Sequence, residues 1–269
     1  MAKLALCIGI NNYPGTGMDL SGCVNDAKDW GAALSKRGFD VKTLLDAKAT
    51  LKGMREAMES VIARAGSGDL VVLQYSGHGS YVPDDDGDEA DGRDECLCPH
   101  DIETNGPIVD DDLFDIFSAA QRGVRIVMIS DSCHSGSISK FQPLAALPIK
   151  RGLPLRKVRF MPPSTFLSRR NLLKLGFGQQ IRSSGPPGRH AALTLAGCQD
   201  YEFSYDADFQ GRPNGAFTFA ALQSLAGLTA RSTYGDWYKR IRKLLPSQQY
   251  PQTPNLYGSR TMKGWKVFT

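Results

Sequence analysis

The sequence predicts an α/β fold in which helices cover both faces of a mostly parallel central sheet. Two stretches carry that prediction, 71–76 and 125–130, because each is largely an apolar run that ends at small polar residues. Strands of parallel sheets are buried on both faces and therefore lose the polar alternation of surface strands. Helical periodicity lies between the strand-like stretches, which is the pattern of a doubly wound sheet.

Strands and helices alternate through the first half of the chain. We expect strands at 3–10, 39–45, 69–76 and 124–130, and helices at 21–37, 50–64 and 110–121. The helices are indicated by apolar residues at three- and four-residue spacing, such as Val24, Ala27 and Trp30 in the first of them. The acidic, glycine-containing stretch 81–105 separates a strand from a helix, and we expect it to be a long loop.

The second half begins with an interruption of this pattern. Residues 135–189 hold seven prolines and no clear period, and a loop of that length in a compact domain is usually functional. Regular structure is then expected to resume with a strand, two helices and a last strand, at 191–197, 215–227, 234–245 and 264–268.

The size and cysteine content of the chain limit which class of protein it can be. A chain of 269 residues suits one large α/β domain or two small ones. It has no apolar run of about 18 residues, which a membrane span needs, and its first ten residues resemble a core strand rather than a signal peptide. We therefore expect a chain that starts with structure, in the cytoplasm, with its six cysteines as free thiols. Cys96 and Cys98 lack the spacing of a zinc site.

The charges are distributed unevenly. Residues 80–115 hold 14 of the 28 acids and a single base, whereas residues 132–199 hold 11 bases and no acid. Either block could be a solvated loop. The basic block could also bind nucleic acid, but it lacks a regular basic stripe or interleaved aromatic residues, so we expect no nucleic-acid partner.

A reactive side chain follows each of the two opening stretches. His78 comes after the first, between two glycines, and Cys133 comes after the second. Open α/β sheets place their sites at the carboxyl ends of strands, so this pair predicts a thiol nucleophile with an imidazole base. A buried, inert cysteine is the alternative, and it suits Cys7 better. His134 could replace His78 as the base, but adjacent side chains such as His134 and Cys133 usually point apart.

The segments Tyr75-Ser76-Gly77-His78-Gly79 and Asp131-Ser132-Cys133-His134-Ser135-Gly136 resemble the two signatures of metacaspases, within the caspase family of cysteine proteases. The chain is most similar to the bacterial members, called orthocaspases. The resemblance implies a caspase-like fold in one compact domain and a monomer. It also implies a large-subunit-like region at 1–139, a basic, proline-rich linker at 140–189 and a small-subunit-like region at 190–269.

The resemblance assigns the catalytic roles. It makes Cys133 the nucleophile and His78 the base, and it gives the backbone N–H groups of Gly79 and Cys133 to the oxyanion. It also implies an acidic pocket for the side chain before the cut bond, formed by Asp26 and Asp131.

Two further residues, Cys23 and Ser76, match the positions beside this pocket. Two carboxylates in a narrow pocket select a guanidinium or an ammonium group by charge-assisted hydrogen bonds. We therefore expect protein or peptide substrates cut after Arg or Lys, and not after Asp as in animal caspases.

Such a specificity would allow the chain to cut its own basic linker. The candidate positions for this autoprocessing, which cannot be ranked from the sequence, are Lys150, Arg151, Arg169, Arg170, Arg182 and Arg189.

The acidic stretch suggests calcium, a cation that takes several oxygen ligands. Metacaspases that need calcium use four aspartates, and three of them match Asp94, Asp110 and Asp111. The fourth position is Lys140, whose ammonium would repel a cation or fill its place. Activation by calcium and independence of calcium both stay open.

Two other functions are compatible with such a fold. A catalytically silent caspase-fold interaction protein would not need an intact Cys133, His78 and acidic pocket. A thiol hydrolase of another kind, such as an amidase, would not need the two pocket aspartates or the small-subunit match.

Overall fold

The computed structural model describes residues 1–84, 92–133, 157–175, 191–199 and 202–269. Twelve strands and eight helices lie in these ranges. The strands are β1 (Lys3–Gly9), β2 (Asp40–Leu45), β3 (Leu70–Ser76), β4 (Gly79–Pro83), β5 (Arg93–Leu97), β6 (Ile108–Val109), β7 (Arg125–Asp131), β8 (Lys157–Val158), β9 (Leu193–Ala196), β10 (Tyr205–Phe209), β11 (Arg212–Gly215) and β12 (Asn255–Tyr257). The helices are α1 (Cys23–Ser35), α2 (Leu51–Ala63), α3 (Ile102–Asn105), α4 (Asp110–Ser118), α5 (Arg169–Lys174), α6 (Ala216–Leu225), α7 (Tyr234–Ile241) and α8 (Arg260–Lys263).

A six-stranded sheet in the order β12-β9-β7-β3-β1-β2 forms the centre of the molecule. Its first five strands along the chain pair in parallel, and β12 alone runs antiparallel, beside β9. Alternate residues of each strand face opposite sides, so β1 buries Leu4 and Leu6 under α2 and α4 and buries Ala5 and Cys7 under α1, α6 and α7. The predicted fold class, a mostly parallel sheet between helices, is confirmed.

The second half of the chain completes this sheet rather than folding beside it. Strands β9 and β12 extend the sheet next to β7, and α7 packs against α1. Trp30 of α1 and Trp237 of α7 are both fully buried, with ring centroids 5.9 Å apart in an edge-on contact. The regions before and after the basic linker therefore share one core.

The acidic stretch is not the single long loop that we expected. Strands β4, β5 and β6 form a three-stranded antiparallel sheet there. The apolar side chains of Tyr81, Cys96, Leu97 and Ile108 are buried in or beside this sheet, and they supply the burial that a strand needs. The high acid content hid that pattern.

The expected last strand at 264–268 is also wrong. The last strand of the sheet is β12, and 264–268 makes only an isolated bridge between Lys266 and Thr233. Phe268 has a left-handed φ of 56°, which ends an extended conformation, and its ring packs on Trp30 and Tyr234. Aromatic packing has taken the place of strand pairing.

Part of the proline-rich segment has regular structure, although none was expected. Strand β8 and helix α5 lie within 157–175. No helix among the described residues is long and apolar enough to cross a membrane.

Candidate active site

The site lies at the carboxyl edge of the central sheet, where β3 and β7 end. Ser76 and Asp131 are paired at the ends of these two neighbouring strands. His78 and Cys133 each follow two residues later, so they leave the sheet at the same level. Adjacent strands are about 4.8 Å apart, and both side chains are buried.

The His78 imidazole is held by the loop that precedes α1. Its Nε2 lies 2.6 Å from the backbone carbonyl oxygen of Met18, so Nε2 carries the proton and donates it. The backbone N–H of His78 donates to the hydroxyl of Tyr13 at 2.8 Å, and its carbonyl accepts from the hydroxyl of Tyr75 at 2.6 Å. The Tyr13 ring packs on the imidazole, with centroids 4.8 Å apart.

Because Nε2 carries the proton of the neutral imidazole, Nδ1 of His78 keeps a lone pair that can accept one. Nδ1 is buried and has no hydrogen-bond partner among the described residues. Burial lowers the pKa of His78 to about 4, so the imidazole is neutral at pH 7 and can accept a proton. The Met18 carbonyl holds the proton on Nε2 and so makes Nδ1 the nitrogen that accepts. In Ser-His-Asp triads a carboxylate fixes the tautomer of the histidine in the same way.

Cys133 is enclosed between two segments of the chain. Its Sγ lies 3.5 Å from the carbonyl oxygen of Ser204 and also accepts from the Ser204 backbone N–H. A second thiol, that of Cys198, donates to the Ser132 carbonyl at 3.5 Å. The hydrogen bond between the two thiols and burial raise the pKa of Cys198 well above its ordinary value, so Cys198 stays protonated.

An acidic pocket opens beside the two reactive side chains. It contains Asp26 from the first turn of α1, Asp131 from the end of β7 and Asp206 from β10, and all three are buried. The first two match the prediction, whereas Asp206 was not anticipated because no motif surrounds it. Counted over the described residues, the pocket therefore holds three carboxylates rather than two.

Backbone and side-chain donors hold each carboxylate in place. The Gly215 N–H donates to Asp26 at 2.9 Å, the Thr218 N–H and hydroxyl donate to Asp131, and the Ser21 and Gly22 N–H groups donate to Asp206. These donors stabilise ionised carboxylates away from water. Even so, burial raises the pKa of Asp26 to about 6, with the neighbouring Asp131 adding to the effect of burial.

The side chain of Arg159 fills this pocket. Its Nη2 lies 2.7 Å from Asp26 Oδ2 and 3.0 Å from Asp206 Oδ1, and its Nη1 lies 3.2 Å from Asp131 Oδ2. Nη1 also donates to the Asp131 carbonyl at 3.0 Å. The guanidinium is fully buried, and removing one member of such a buried ion pair typically costs about 3–5 kcal/mol.

The backbone of Arg159 lies between the groups expected to bind an oxyanion. Its carbonyl oxygen accepts from the Gly79 N–H at 3.0 Å and from the Cys133 N–H at 3.1 Å. Upstream, β8 pairs antiparallel with β10, with Val158 opposite Tyr205. The chain thus passes through the site in an extended conformation, with an arginine in the pocket and its carbonyl beside the cysteine.

The two residues expected beside the pocket, Cys23 and Ser76, are both buried. The Cys23 thiol lies near the Arg159 guanidinium and the three carboxylates, and burial raises its pKa well above the ordinary value. The Ser76 hydroxyl accepts from the Gln74 side chain at 2.8 Å, and Ser76 lies opposite Asp131 on the neighbouring strand.

Of the aspartates expected to bind calcium, Asp94 lies on β5, and Asp110 and Asp111 begin α4. Cys96 of β5 pairs with Val109 of β6, which brings Asp94 toward Asp110 and Asp111 at the start of α4. Among the described residues, however, no three acidic, histidine or cysteine side chains are arranged to hold a metal ion. Lys140, which occupies the fourth position of the calcium pattern, lies outside the described residues.

The candidate autocleavage positions lie either at the start of a helix or outside the described residues. Arg169 and Arg170 begin helix α5. The other four, Lys150, Arg151, Arg182 and Arg189, lie outside the described residues, as does His134. Arg159 was not among the candidates. The signal that could have found it is a single base inside the short apolar stretch Val158-Arg159-Phe160-Met161.

Comparison with known proteins identifies the family. A family model described as metacaspase, peptidase C14 domain, matches residues 3–142. The chain is 33% identical to Metacaspase-1 of Mycosarcoma maydis in an alignment of 292 positions including gaps, which covers 96% of this chain and 70% of that protein. The chain belongs to the metacaspase family. The resemblance seen in the two sequence signatures is thereby confirmed.

Other metacaspases match over different lengths. The chain is 45% identical to Metacaspase-7 of Arabidopsis thaliana over 148 residues, 51% of this chain and 36% of that protein. It is 31% identical to Metacaspase-1 of Cryptococcus neoformans, with 97% of this chain and 63% of that protein covered. The chain thus spans less than two thirds of the length of these two relatives.

Solved structures support the fold. Protein GSU0716 of Geobacter sulfurreducens superposes with a TM-score of 0.73 at 29% identity, covering 100% of this chain and 99% of that one. Caspase-1 from Spodoptera frugiperda superposes with a TM-score of 0.60 over 95% of this metacaspase and 86% of that chain. At 13% identity the caspase comparison concerns the fold alone, and it agrees with the predicted caspase-like architecture.

Proposed function

We propose that this metacaspase is a cysteine endopeptidase that cuts proteins and peptides after arginine, and more slowly after lysine. The observation that carries the proposal is Arg159, whose guanidinium meets three buried carboxylates while its carbonyl oxygen meets two backbone N–H groups. A substrate arginine placed in the same way would present its carbonyl carbon to Cys133.

The reaction uses the neutral imidazole as its base. Nδ1 of His78 takes the proton of the Cys133 thiol, and the thiolate attacks the carbonyl carbon of the substrate arginine. The Gly79 and Cys133 N–H groups stabilise the negative charge that develops on the carbonyl oxygen. His78 then gives the proton to the departing amine. Water hydrolyses the resulting thioester and restores the thiol.

The pocket favours arginine for a geometric reason. A guanidinium offers two Nη atoms in a fixed plane, and these reach Asp26 and Asp206 on one side and Asp131 on the other. A lysine ammonium is a single point charge and cannot meet all three carboxylates with the same geometry. An aspartate would be repelled by them.

A peptide assay tests this proposal. Fluorogenic peptides that end in Arg, Lys or Asp are offered to the wild type and to Cys133→Ala. We expect turnover in the order Arg, then Lys, with none for Asp and none in the variant. Turnover of the Arg peptide by Cys133→Ala, or its absence in the wild type both with and without calcium, would reject the proposal.

We further propose that the chain processes itself and that the bond cut is Arg159–Phe160. Both the side chain and the carbonyl of Arg159 support this choice over the six candidates taken from the sequence. Intact-mass measurement of the incubated wild type should give fragments that end at 159 and begin at 160. Arg159→Lys should still be cut, whereas Arg159→Gln and Cys133→Ala should stay whole. A cut at another position that proceeds equally in Arg159→Gln would contradict the assignment.

Calcium activation is a separate proposal that comes from the family pattern alone. If Asp94, Asp110 and Asp111 contribute ligands, turnover of the Arg peptide should rise with added calcium in the wild type and not in Asp111→Asn. Equal turnover with calcium and with a chelator would show that calcium does not activate the enzyme.

The monomeric state is likewise proposed, and sedimentation of Cys133→Ala tests it.

A further inference from the structure

The residues that follow Arg159 occupy a second, apolar part of the same cleft. Phe160 is 3% exposed and its ring stacks on Tyr81 of β4, with centroids 6.0 Å apart and planes inclined by 26°. The Phe203 ring lies 6.4 Å from Phe160 in a tilted contact. Cys133 belongs to the same apolar cluster as Tyr81 and Phe160, and Phe203 packs against this cluster.

The backbone beyond Arg159 is held as an added strand. Phe160 bridges in parallel to Gly79, and the Met161 N–H donates to the Gly79 carbonyl at 2.9 Å. The Ser80 hydroxyl donates to the Met161 carbonyl at 2.6 Å. Backbone hydrogen bonds of this kind fix the position of an extended peptide and leave specificity to its side chains.

We propose that Tyr81 and Phe203 form a subsite that selects a large aromatic residue immediately after the cut bond. This inference rests on the proposed function, because it assumes that Arg159 marks the position of the substrate arginine. Phe160 shows which side chain fits, since stacked and tilted aromatic contacts add to the burial of the ring. The preferred substrate is therefore an extended segment that contains Arg-Phe, Arg-Tyr or Arg-Trp.

The position of Tyr81 explains why this subsite is built for a ring. The guanidinium of Arg93 lies over the Tyr81 ring, 4.5 Å from its centroid, so the ring is held from the side of β5 as well. Tyr81 also lies on β4, the strand whose Gly79 and Ser80 bind the substrate backbone. The same strand thus positions the backbone of the substrate and recognises its side chain.

Internally quenched peptides that differ only in the residue after Arg test the subsite. We expect kcat/KM for Arg-Phe to exceed that for Arg-Ala and Arg-Asp by about tenfold or more. Tyr81→Ala should bring the Phe-to-Ala ratio near one, whereas Tyr81→Phe, which keeps the ring, should retain it. Thr233→Ala changes a side chain that bonds Asp236 at the start of α7, so it serves as the control variant and should also retain the ratio.

Three outcomes separate this inference from the proposed function. If no Arg peptide is cut, the proposed function has failed and the subsite falls with it. If all Arg peptides are cut at similar rates, the proposed function stands and the subsite is rejected. A Phe preference that persists in Tyr81→Ala also rejects it. As a check within the chain, Phe160→Ala should slow self-cleavage about tenfold and Phe160→Tyr should not.

Discussion

At the scale of single residues, two networks hold the proposed chemistry. One fixes His78 through the Met18 carbonyl and the Tyr13 and Tyr75 hydroxyls, and so decides which imidazole nitrogen is the base. The other holds three carboxylates around one guanidinium. Because both are buried, water cannot replace a lost partner, and small changes should have large effects.

The pocket predicts a pH dependence of substrate binding. Burial raises the pKa of Asp26 to about 6 even though the neighbouring Arg159 guanidinium lowers it, so in the empty pocket this carboxylate takes up a proton at pH 6 or higher. Below pH 6 the pocket loses a negative charge, and kcat/KM for an Arg peptide should fall by about tenfold per pH unit. His78, with its pKa lowered to about 4, stays neutral through most of this range.

The variant Asp26→Asn shows whether the fall of kcat/KM at low pH comes from the pocket or from the catalytic base. Asp26→Asn should be slower than the wild type at pH 7.5 and should lose the fall that begins near pH 6. The pH profile of kcat/KM from 4.5 to 8 checks this. An unchanged profile in Asp26→Asn would assign the acid limb to another group.

The residues proposed to do the chemistry could be singled out from the sequence because they stand in short, specific motifs. His78, Cys133 and Asp131 lie at strand ends that the apolar runs reveal. Met18 and Asp206 could not be predicted, because Met18 acts through a backbone carbonyl that any residue carries and Asp206 reaches the pocket only through tertiary packing.

At the scale of elements, the turn between β3 and β4 leaves no room for a side chain at Gly77. A Cβ on Gly77 would lie 2.5 Å from the Tyr75 hydroxyl oxygen and 2.6 Å from that of Tyr13. Both hydroxyls bind the backbone of His78, so neither can move without disturbing the imidazole. Glycine is therefore required here by close approach.

Gly77→Ala should lower both stability and turnover. We expect a loss of about 1–3 kcal/mol in the free energy of unfolding, because the new methyl group overpacks a filled core. The kcat for an Arg peptide should fall more than KM rises, since the base moves and the pocket does not. Denaturant unfolding and steady-state kinetics measure the two effects.

Gly31 offers a matched control on α1. Its Cβ would meet nothing closer than side chains at 3.6 Å, so Gly31→Ala should be neutral or should stabilise the helix by about 0.5–1 kcal/mol. Similar destabilisation in Gly31→Ala and Gly77→Ala would contradict the argument from close approach.

Helices were easier to predict than strands for a physical reason. Amphipathic period and length defined α1, α2 and α4 within a few residues of their observed bounds. Strands β4 to β6 are short, and each pairs with a strand that is remote in sequence or contains acidic residues. Strand β12 has three residues. Such strands depend on tertiary pairing that a local pattern does not carry.

At the scale of the whole molecule, the proposed cut would divide the chain within one shared core. Strand β7 belongs to the first part, and β9 and β12, which extend the same sheet, belong to the second. The buried contact between Trp30 and Trp237 also joins the two parts. Cleavage at Arg159 would therefore sever the backbone without removing the packing that holds the parts together.

We accordingly expect the two fragments to remain associated after self-cleavage. The cleaved protein should elute from a gel-filtration column at the position of uncut Cys133→Ala, and both fragments should appear together on a denaturing gel. In about 6 M guanidinium chloride, a concentration at which most domains unfold, they should separate. Separate elution in native buffer would show that the shared core does not hold them.

The central claim is that Cys133 attacks the carbonyl of an arginine held by the acidic pocket. A peptidyl-arginine chloromethyl ketone tests it directly, because the thiolate displaces chloride only when the arginine is bound beside it. Peptide mapping of the wild type, allowed to cleave itself first, should find one label, on Cys133, and none with the matching aspartyl reagent. A label on Cys23 or Cys198 instead, or equal labelling by the aspartyl reagent, would contradict the account.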